Sequence, residues 1–248
     1  MSKTILITGG SRGIGAALSH LAARAGYRVA VNYASNADAA ASVVDEIVST
    51  GGDAFAVKAD IGSESEIVAM FEAVDRRFGI LDALVNNAGI VDVKARVDEM
   101  SAARVERMMR VNVIGSILCA REAVRRMSTK HRGKGGAIVN VGSVASKHGA
   151  AGEYVDYAAS KGAIDTFTVG LAREVATEGI RVNAVRPGII DTEIHASGGQ
   201  PGRPAAMRQF IPMQREGFTD EVAHAILWLL SDEASYTTGA LLDVGGGR

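Results

Sequence analysis

The chain has 248 residues, a formal charge of −1 at neutral pH, 47% hydrophobic residues and 22% charged residues. This composition is ordinary for a soluble globular protein, and the length suits one large domain or two small ones. The near-zero charge gives no electrostatic basis for binding nucleic acid or an anionic membrane, and no apolar run approaches the roughly 18 residues that span a bilayer. The only cysteine, Cys119, excludes an intramolecular disulfide, and we expect it to be buried in a cytoplasmic protein.

Short aliphatic or β-branched runs alternate with longer helical patterns almost to the end of the chain. The predicted strands are Thr4–Thr8, Arg28–Asn32, Ala54–Lys58, Ala83–Asn86, Ala137–Val141, Arg181–Val185 and Leu241–Val244. The predicted helices cover residues 13–25, 37–49, 64–78, 101–129, 156–178 and 219–230. Strands that are apolar on both faces and separated by helices indicate a doubly wound α/β domain, with a parallel sheet covered on both sides. No linker interrupts the alternation, so residues 1–248 are predicted to form a single domain.

One long segment, from Asp191 to about Pro204, has no periodic pattern and is predicted to be irregular. Loops of that length in a compact domain are usually lids or mobile segments. We therefore expect a substrate loop near residues 191–215. Its mixture of polar and apolar side chains favours a modest polar carbonyl compound or a sugar-like alcohol over a steroid.

The first predicted strand leads through a glycine-rich turn, residues 8–15, into the first predicted helix. Glycines permit a tight turn and a close approach of the backbone to a pyrophosphate, which then lies at a helix N-terminus. The spacing G-x-x-x-G-x-G differs from the standard dinucleotide fingerprint, but its place between a strand and a helix supports a dinucleotide site. The predicted cofactor contacts in this turn are Gly9, Ser11, Arg12, Gly13, Ile14 and Gly15.

The end of the second strand bears on the choice between NAD and NADP. It carries Asn32, Tyr33 and Ser35, and it lacks the carboxylate that would bind the ribose hydroxyls of NAD. Arg12 can reach a 2′-phosphate, although a solvated arginine beside a neutral loop is the alternative. We predict that NADP is preferred over NAD and that these residues contact it.

Two residues after the third strand, Asp60 and Ile61, are candidates for binding the adenine. Capping of the next helix, near Ser63, is the alternative role for Asp60. The sequence alone leaves both roles open.

A tyrosine and a lysine in the pattern Tyr157-x-x-x-Lys161 share one face of a predicted helix. A free tyrosine has a pKa of about 10, and a nearby cation stabilises the phenolate. We expect Lys161 to lower the pKa of Tyr157 and make it a general acid or base, while Ser143 holds a substrate oxygen. Tyr154 is a possible rival for this role. This arrangement of side chains suits the interconversion of a carbonyl and an alcohol.

These motifs, together with Asn86-Asn87-Ala88-Gly89, Asn112 and Pro187-Gly188, resemble the short-chain dehydrogenases/reductases over essentially the whole chain. The resemblance implies a seven-stranded Rossmann sheet, NAD(P)-dependent oxidoreduction at a CH–OH group, and a homotetramer or dimer. It also implies that Ser143, Tyr157 and Lys161 are catalytic and that Asn112 holds a water in a proton relay with Lys161. The cofactor contacts it implies are Asn87, Ala88, Gly89, Tyr157, Lys161, Pro187, Gly188, Ile190 and Thr192.

The substrate stays open. Candidate pocket residues are His148, Glu153, Tyr154, His195 and the catalytic Ser143, with surface positions as the alternative for the histidines and the glutamate. No histidine–cysteine cluster has metal-ligand spacing, so we expect no metal. The chain is also similar to 3-oxoacyl-acyl-carrier-protein reductases, although Glu178 places an acid where a base is expected; a sugar or polyol dehydrogenase is another possibility. An NADP-sensing regulator is the non-enzyme alternative, and retention of the tyrosine and lysine opposes it.

Overall fold

Seven parallel strands form one sheet in the order β3-β2-β1-β4-β5-β6-β7 in the computed structural model, which describes residues 2–248. The strands are β1 Thr4–Ile7, β2 Arg28–Tyr33, β3 Ala54–Lys58, β4 Ala83–Asn86, β5 Gly136–Val141, β6 Ile180–Pro187 and β7 Leu241–Val244. The strand order reverses between β1 and β4, and ligands bind at such switch points, beyond the carboxyl ends of the strands. The predicted doubly wound α/β fold is confirmed.

Ten helices connect and cover the strands in the described part of the chain. They are α1 Gly13–Arg24, α2 Ala37–Ser49, α3 Glu64–Phe78, α4 Ala102–Met109, α5 Ser116–Met127, α6 Ala145–His148, α7 Val155–Val175, α8 Ile194–Ser197, α9 Arg203–Met207 and α10 Thr219–Leu230. The predicted bounds of α2, α3 and α10 agree with the structure, because each has a clear apolar stripe and a recognisable start and end.

Two predictions about regular structure are wrong. The predicted helix over residues 101–129 is interrupted between α4 and α5 by a π-helical turn, Arg110–Gly115. This turn brings Gly115 against the chain after β3, where an added Cβ would lie 2.4 Å from the Ile61 carbonyl oxygen. The segment predicted to be irregular, Asp191 to Pro204, instead contains α8 and the beginning of α9, which are too short to produce a periodic pattern.

The hydrophobic core lies in two layers, one on each face of the sheet. Successive strand residues point to opposite faces, so Ile5 and Ile7 of β1 join one layer and Leu6 joins the other. Cys119 is fully buried in the second layer, as expected, and burial raises the pKa of its thiol to about 12. None of the helices between residues 2 and 248 is long and apolar enough to cross a membrane.

Candidate active site

A cavity of about 1200 Å³ opens at the carboxyl ends of the central strands. Most of the predicted site residues line this one cavity, which brings the glycine turn, the tyrosine–lysine pair and the substrate candidates together. They are Gly9, Ser11, Arg12, Gly13, Ile14, Asn32, Tyr33, Ser35, Asp60, Ile61, Asn87, Ala88, Gly89, Ser143, His148, Glu153, Tyr154, Tyr157, Lys161, Pro187, Gly188, Ile190, Thr192 and His195. Gly15 and Asn112 are not on its wall and support it from behind.

The glycine turn has the backbone that a pyrophosphate site requires. Gly9 and Gly13 have φ angles of 62° and 53°, in the left-handed region that favours glycine. At Gly15 a Cβ would lie 2.2 Å from the Gly9 carbonyl oxygen, so this position accepts no side chain. The first turn of α1 has no acidic residue and no side-chain cap, which leaves its N–H groups directed at an incoming anion. These features fit the phosphates of a dinucleotide.

Two side-chain amides, the half-buried Asn87 and the buried Asn32, hold this turn in place. Asn87 Nδ2 donates to the carbonyl oxygens of Thr8 and Gly9 at 2.9 and 3.0 Å. The Asn32 side chain accepts from Gly9 N at 3.1 Å and donates to Ala59 O at 3.0 Å. The 2%-exposed Asn32 amide therefore orients the turn, and its contact with the cofactor stays a prediction.

The residues that directly follow β2 on the cavity wall are uncharged, and Arg12 of the glycine turn, Glu46 of α2 and His20 of α1 also line the cavity. Tyr33 is half-buried and Ser35 is exposed, and the exposed Arg12 side chain makes no ion pair or hydrogen bond with residues 2–248. Asp60 lies on the cavity wall, where its carboxylate accepts from Gly62 N at 2.8 Å. This hydrogen bond closes a local turn and does not cap α3. The capping role considered for Asp60 is therefore absent from the structure.

The tyrosine–lysine pair lies on α7, beside the end of β5. Lys161 Nζ donates to Val141 O at 2.7 Å and lies 5.7 Å from the centre of the Tyr157 ring. Across the cavity, a Cβ on Gly89 would lie 3.5 Å from Lys161 Nζ, so the ammonium fits between a strand end and a side-chain-free segment. Ser143 lies two residues after the end of β5, and its hydroxyl accepts from Ala145 N at 3.1 Å.

Burial dominates the acid–base properties of this pair. It raises the pKa of Tyr157, and the hydrogen bond to Ser143 opposes the rise only in part. It lowers the pKa of Lys161 to about 8, with the negative charge of Asp165 acting in the opposite direction. For the protein alone, the predicted lowering of the Tyr157 pKa is therefore wrong, because desolvation of the phenol is the largest contribution to its pKa.

Asn112 lies in the π-helical turn and joins three segments. Its side chain accepts from Ile90 N at 2.8 Å and donates to Ile90 O at 3.0 Å and to Ser160 Oγ at 3.1 Å. It therefore fixes the segment after β4 against α7, next to the tyrosine–lysine pair. Its implied role in holding a water stays a prediction.

The substrate candidates meet where the 191–215 segment crosses the cavity. Glu153 receives a two-pronged ion pair from Arg203, with nitrogen–oxygen distances of 2.6 and 3.0 Å. The Tyr154 hydroxyl accepts from Gln200, and His195 Nε2 lies 2.9 Å from Ile190 O. Tyr154 precedes α7 instead of lying within it, so it does not share the helical face of the lysine.

His148 ends the short helix α6 and is exposed at the edge of the cavity. Burial and the nearby positive charges lower the pKa of its imidazole. In the chain from residue 2 onward, no three histidine, cysteine, aspartate or glutamate side chains gather closely enough to hold a metal ion.

A buried ion pair behind the tyrosine is absent from the predictions. Arg104 Nε and Asp156 Oδ2 are 2.8 Å apart, and their side chains are 9% and 3% exposed. Asp156 also accepts from Tyr157 N at 2.9 Å, while Arg104 donates to Val93 O at 2.7 Å. The pair thus anchors the start of α7. Its only sequence signal is an acid in the first turn of a helix, directly before the tyrosine.

Comparisons with known proteins agree with this geometry. The family described as enoyl-(acyl carrier protein) reductase matches residues 9–248. The uncharacterized oxidoreductase YgfF of Escherichia coli K12 is 58% identical over 243 residues, 98% of each chain. The 3-oxoacyl-[acyl-carrier-protein] reductase FabG of Staphylococcus aureus is 37% identical over 247 residues, 100% of this chain and 98% of its own. A short-chain dehydrogenase from Burkholderia cenocepacia J2315, solved in complex with NADP, has a TM-score of 0.91 at 34% identity, covering 99% of this chain and 97% of its own.

Proposed function

This chain belongs to the short-chain dehydrogenase/reductase family of oxidoreductases, and we propose that it interconverts a carbonyl and a secondary alcohol with NADP(H) as its preferred cofactor. The observation that carries the proposal is one cavity that joins the glycine turn to Ser143, Tyr157 and Lys161. A hydride donor seated on the turn would share this cavity with a proton donor and an oxygen-binding hydroxyl. These are the components that carbonyl reduction needs.

When bound, the nicotinamide supplies a hydride to the carbonyl carbon in reduction and accepts one in oxidation. Ser143 hydrogen-bonds the carbonyl oxygen, and Tyr157 transfers its phenolic proton to that oxygen, so that C=O becomes CH–OH. Solvent then returns a proton to the phenolate. The Lys161 ammonium, fixed on Val141 O, stabilises that phenolate while it exists.

The NADP preference is supported by Arg12, which has no partner among the described side chains and lies beside the neutral end of β2. A guanidinium in this place can bind the 2′-phosphate, while Tyr33 and Ser35 offer hydroxyls to it. Initial rates with NADPH and NADH test this proposal, and a clear preference for NADH would overturn it. Arg12→Gln should reduce the NADPH preference, whereas Arg24→Gln, at the far end of α1, should not.

A panel of substrates, run in both directions with both cofactors, tests the reaction class. It should contain simple ketones, sugars or polyols, and a 3-oxoacyl thioester. Thioester reduction is the second candidate, supported by the similarity to FabG. Against it, Glu178, hydrogen-bonded by Ser128, places negative charge where an acidic carrier would need a base. Binding of NADP without turnover of any compound would instead favour the sensing regulator.

We further propose a cytoplasmic homotetramer or homodimer of single-domain subunits. Exposed apolar residues along α4, the π-helical turn and α5 support assembly: Val105, Ile114 and Ile117 are 39%, 46% and 37% exposed. A single buried thiol, Cys119, fits a reducing compartment. Light scattering tests the assembly, and a clean monomer would contradict it.

A further inference from the structure

The substrate end of the cavity gathers positive charge. Arg203 and Arg248 line it together with Glu153 and with His148, whose lowered pKa makes the imidazole neutral at pH 7. The 191–215 segment has two acids: Asp191 is not on the cavity wall, and Glu193 lies toward the glycine turn, since a Cβ on Gly13 would be 3.6 Å from its carboxylate. The charge balance at this end therefore depends on which cations form ion pairs with Glu153.

Glu153 is already neutralised. Arg203 binds both of its carboxylate oxygens and lies over the Tyr154 ring, 5.4 Å from the ring centre. Lys94 adds a second cation at 3.7 Å from the same carboxylate. Both oxygens of Glu153 are thus occupied, and this carboxylate is not the ion-pair partner of another cation in the cavity.

Arg248 has no such partner. Within residues 2–248, no carboxylate lies within 4.0 Å of its guanidinium, and its side chain makes no hydrogen bond. Its backbone is nevertheless held, because Arg248 N donates to Gly245 O at 3.3 Å and Met213 N donates to Gly246 O at 3.1 Å. The guanidinium is half-buried on the cavity wall.

The cations at this end oppose one another. Burial and the charge of Arg203 lower the pKa of Arg248, with the negative charge of Glu153 acting in the opposite direction, and burial, Arg248, Lys147 and Arg203 lower the pKa of His148. Partly desolvated like charges are unfavourable until an anion joins them. An anionic group in the cavity would therefore stabilise the Arg248 guanidinium.

We propose that the substrate supplies this group: it is a carbonyl compound or alcohol that carries a carboxylate or a phosphate ester, which Arg248 binds while Ser143 and Tyr157 hold the reacting oxygen. The planar guanidinium matches either anion with paired hydrogen bonds. The inference rests on the proposed function.

A matched series of substrates tests the proposal. Keto acids of increasing chain length, their methyl esters and a keto phosphate ester are compared at saturating cofactor. We expect kcat/KM for the best anion to exceed that for its neutral ester by roughly 10- to 100-fold. Arg248→Gln should remove this preference, because it raises KM for the anion and leaves kcat/KM for the ester unchanged. The control variant Arg24→Gln should keep the preference. Comparison of kcat/KM for the keto acids with kcat/KM for the keto phosphate ester identifies which anion the site prefers.

Equal kcat/KM for anion and ester in the unmodified protein would overturn the inference while leaving carbonyl reduction intact. A preference that survives in Arg248→Gln would overturn it as well. If no carbonyl compound is reduced, the proposed function fails, and calorimetric titration of the same keto acids still decides the inference. Binding that Arg248→Gln weakens would support it, and the absence of binding would refute it.

Discussion

Replacement of Lys161 by methionine should abolish catalysis and stabilise the folded protein near neutral pH. The side chain is 5% exposed, and burial lowers its pKa from the ordinary 10.5 to about 8. A group whose charged form is disfavoured on folding destabilises the native state wherever both states are protonated. Methionine has a similar length and no charge, so the desolvation penalty disappears.

The size of the gain follows from the pKa values. The difference between 10.5 and about 8 corresponds to about 3 kcal/mol at 1.36 kcal/mol per pKa unit. Loss of the hydrogen bond to Val141 O offsets about 1–2 kcal/mol, which leaves a net gain of about 1–2 kcal/mol at pH 7. From pH 8 to 10.5 the unfolded lysine keeps a proton that the folded one releases, so the unmodified protein gains stability with rising pH. The advantage of the variant therefore shrinks and reverses in this interval.

Urea denaturation followed by circular dichroism, from about pH 6 to pH 10, measures this dependence. Protein concentration is held constant because assembly would couple to stability. Lys134→Met, at an exposed lysine, is the matched control and should show no such pH-dependent difference. A Lys161→Met protein that is less stable at pH 7, or whose stability difference is independent of pH, would refute the reasoning.

Three other substitutions test the proton donor Tyr157, the ion pair of Asp156 that anchors α7, and the glycine turn at Gly15. Tyr157→Phe should lower kcat by about 100- to 10,000-fold while fluorescence titration shows unchanged NADPH binding; retained turnover would implicate Tyr154. Asp156→Asn leaves the buried Arg104 without its counter-ion and should cost about 3 kcal/mol in urea unfolding, so an unchanged midpoint would contradict the anchoring role. Gly15→Ala places a Cβ 2.2 Å from a carbonyl oxygen and should weaken NADPH binding at least about tenfold or prevent folding, whereas Gly170→Ala, which has open space, should do neither.

The features that sequence could predict are those determined by neighbours along the chain. The strands and most helices can be recognised from short periodic runs of apolar residues. The glycine turn can be recognised because the strand, the turn and the helix are contiguous in sequence. The π-helical turn around Asn112 could not be found this way. One inserted residue changes the hydrogen-bond register without changing the apolar pattern.

Contacts between distant segments escaped prediction for a different reason. Arg104 and Asp156 are 52 residues apart, and Arg203 and Glu153 are 50 apart. In sequence, each looks like a solvated surface charge. Only the fold, which packs α4 on α7 and the 191–215 segment across the cavity, turns them into partly or fully buried pairs. The role inferred for Arg248 depends on these pairs, because Glu153 is bound to Arg203 and Arg248 is left without an ion-pair partner at the substrate end of the cavity.

The tyrosine–lysine pair shows where reasoning from spacing alone fails. Four residues on a helix predict proximity, and proximity predicts Coulomb coupling that lowers the phenol pKa. Spacing does not show that both groups lie in a partly dry cavity, where desolvation favours the neutral phenol and the neutral amine. Burial raises the pKa of Tyr157 above its ordinary value of 10, so the protein alone keeps the phenolic proton at neutral pH. Tyr157 therefore stands ready to donate a proton to a carbonyl oxygen, and in the reverse reaction it must first lose that proton.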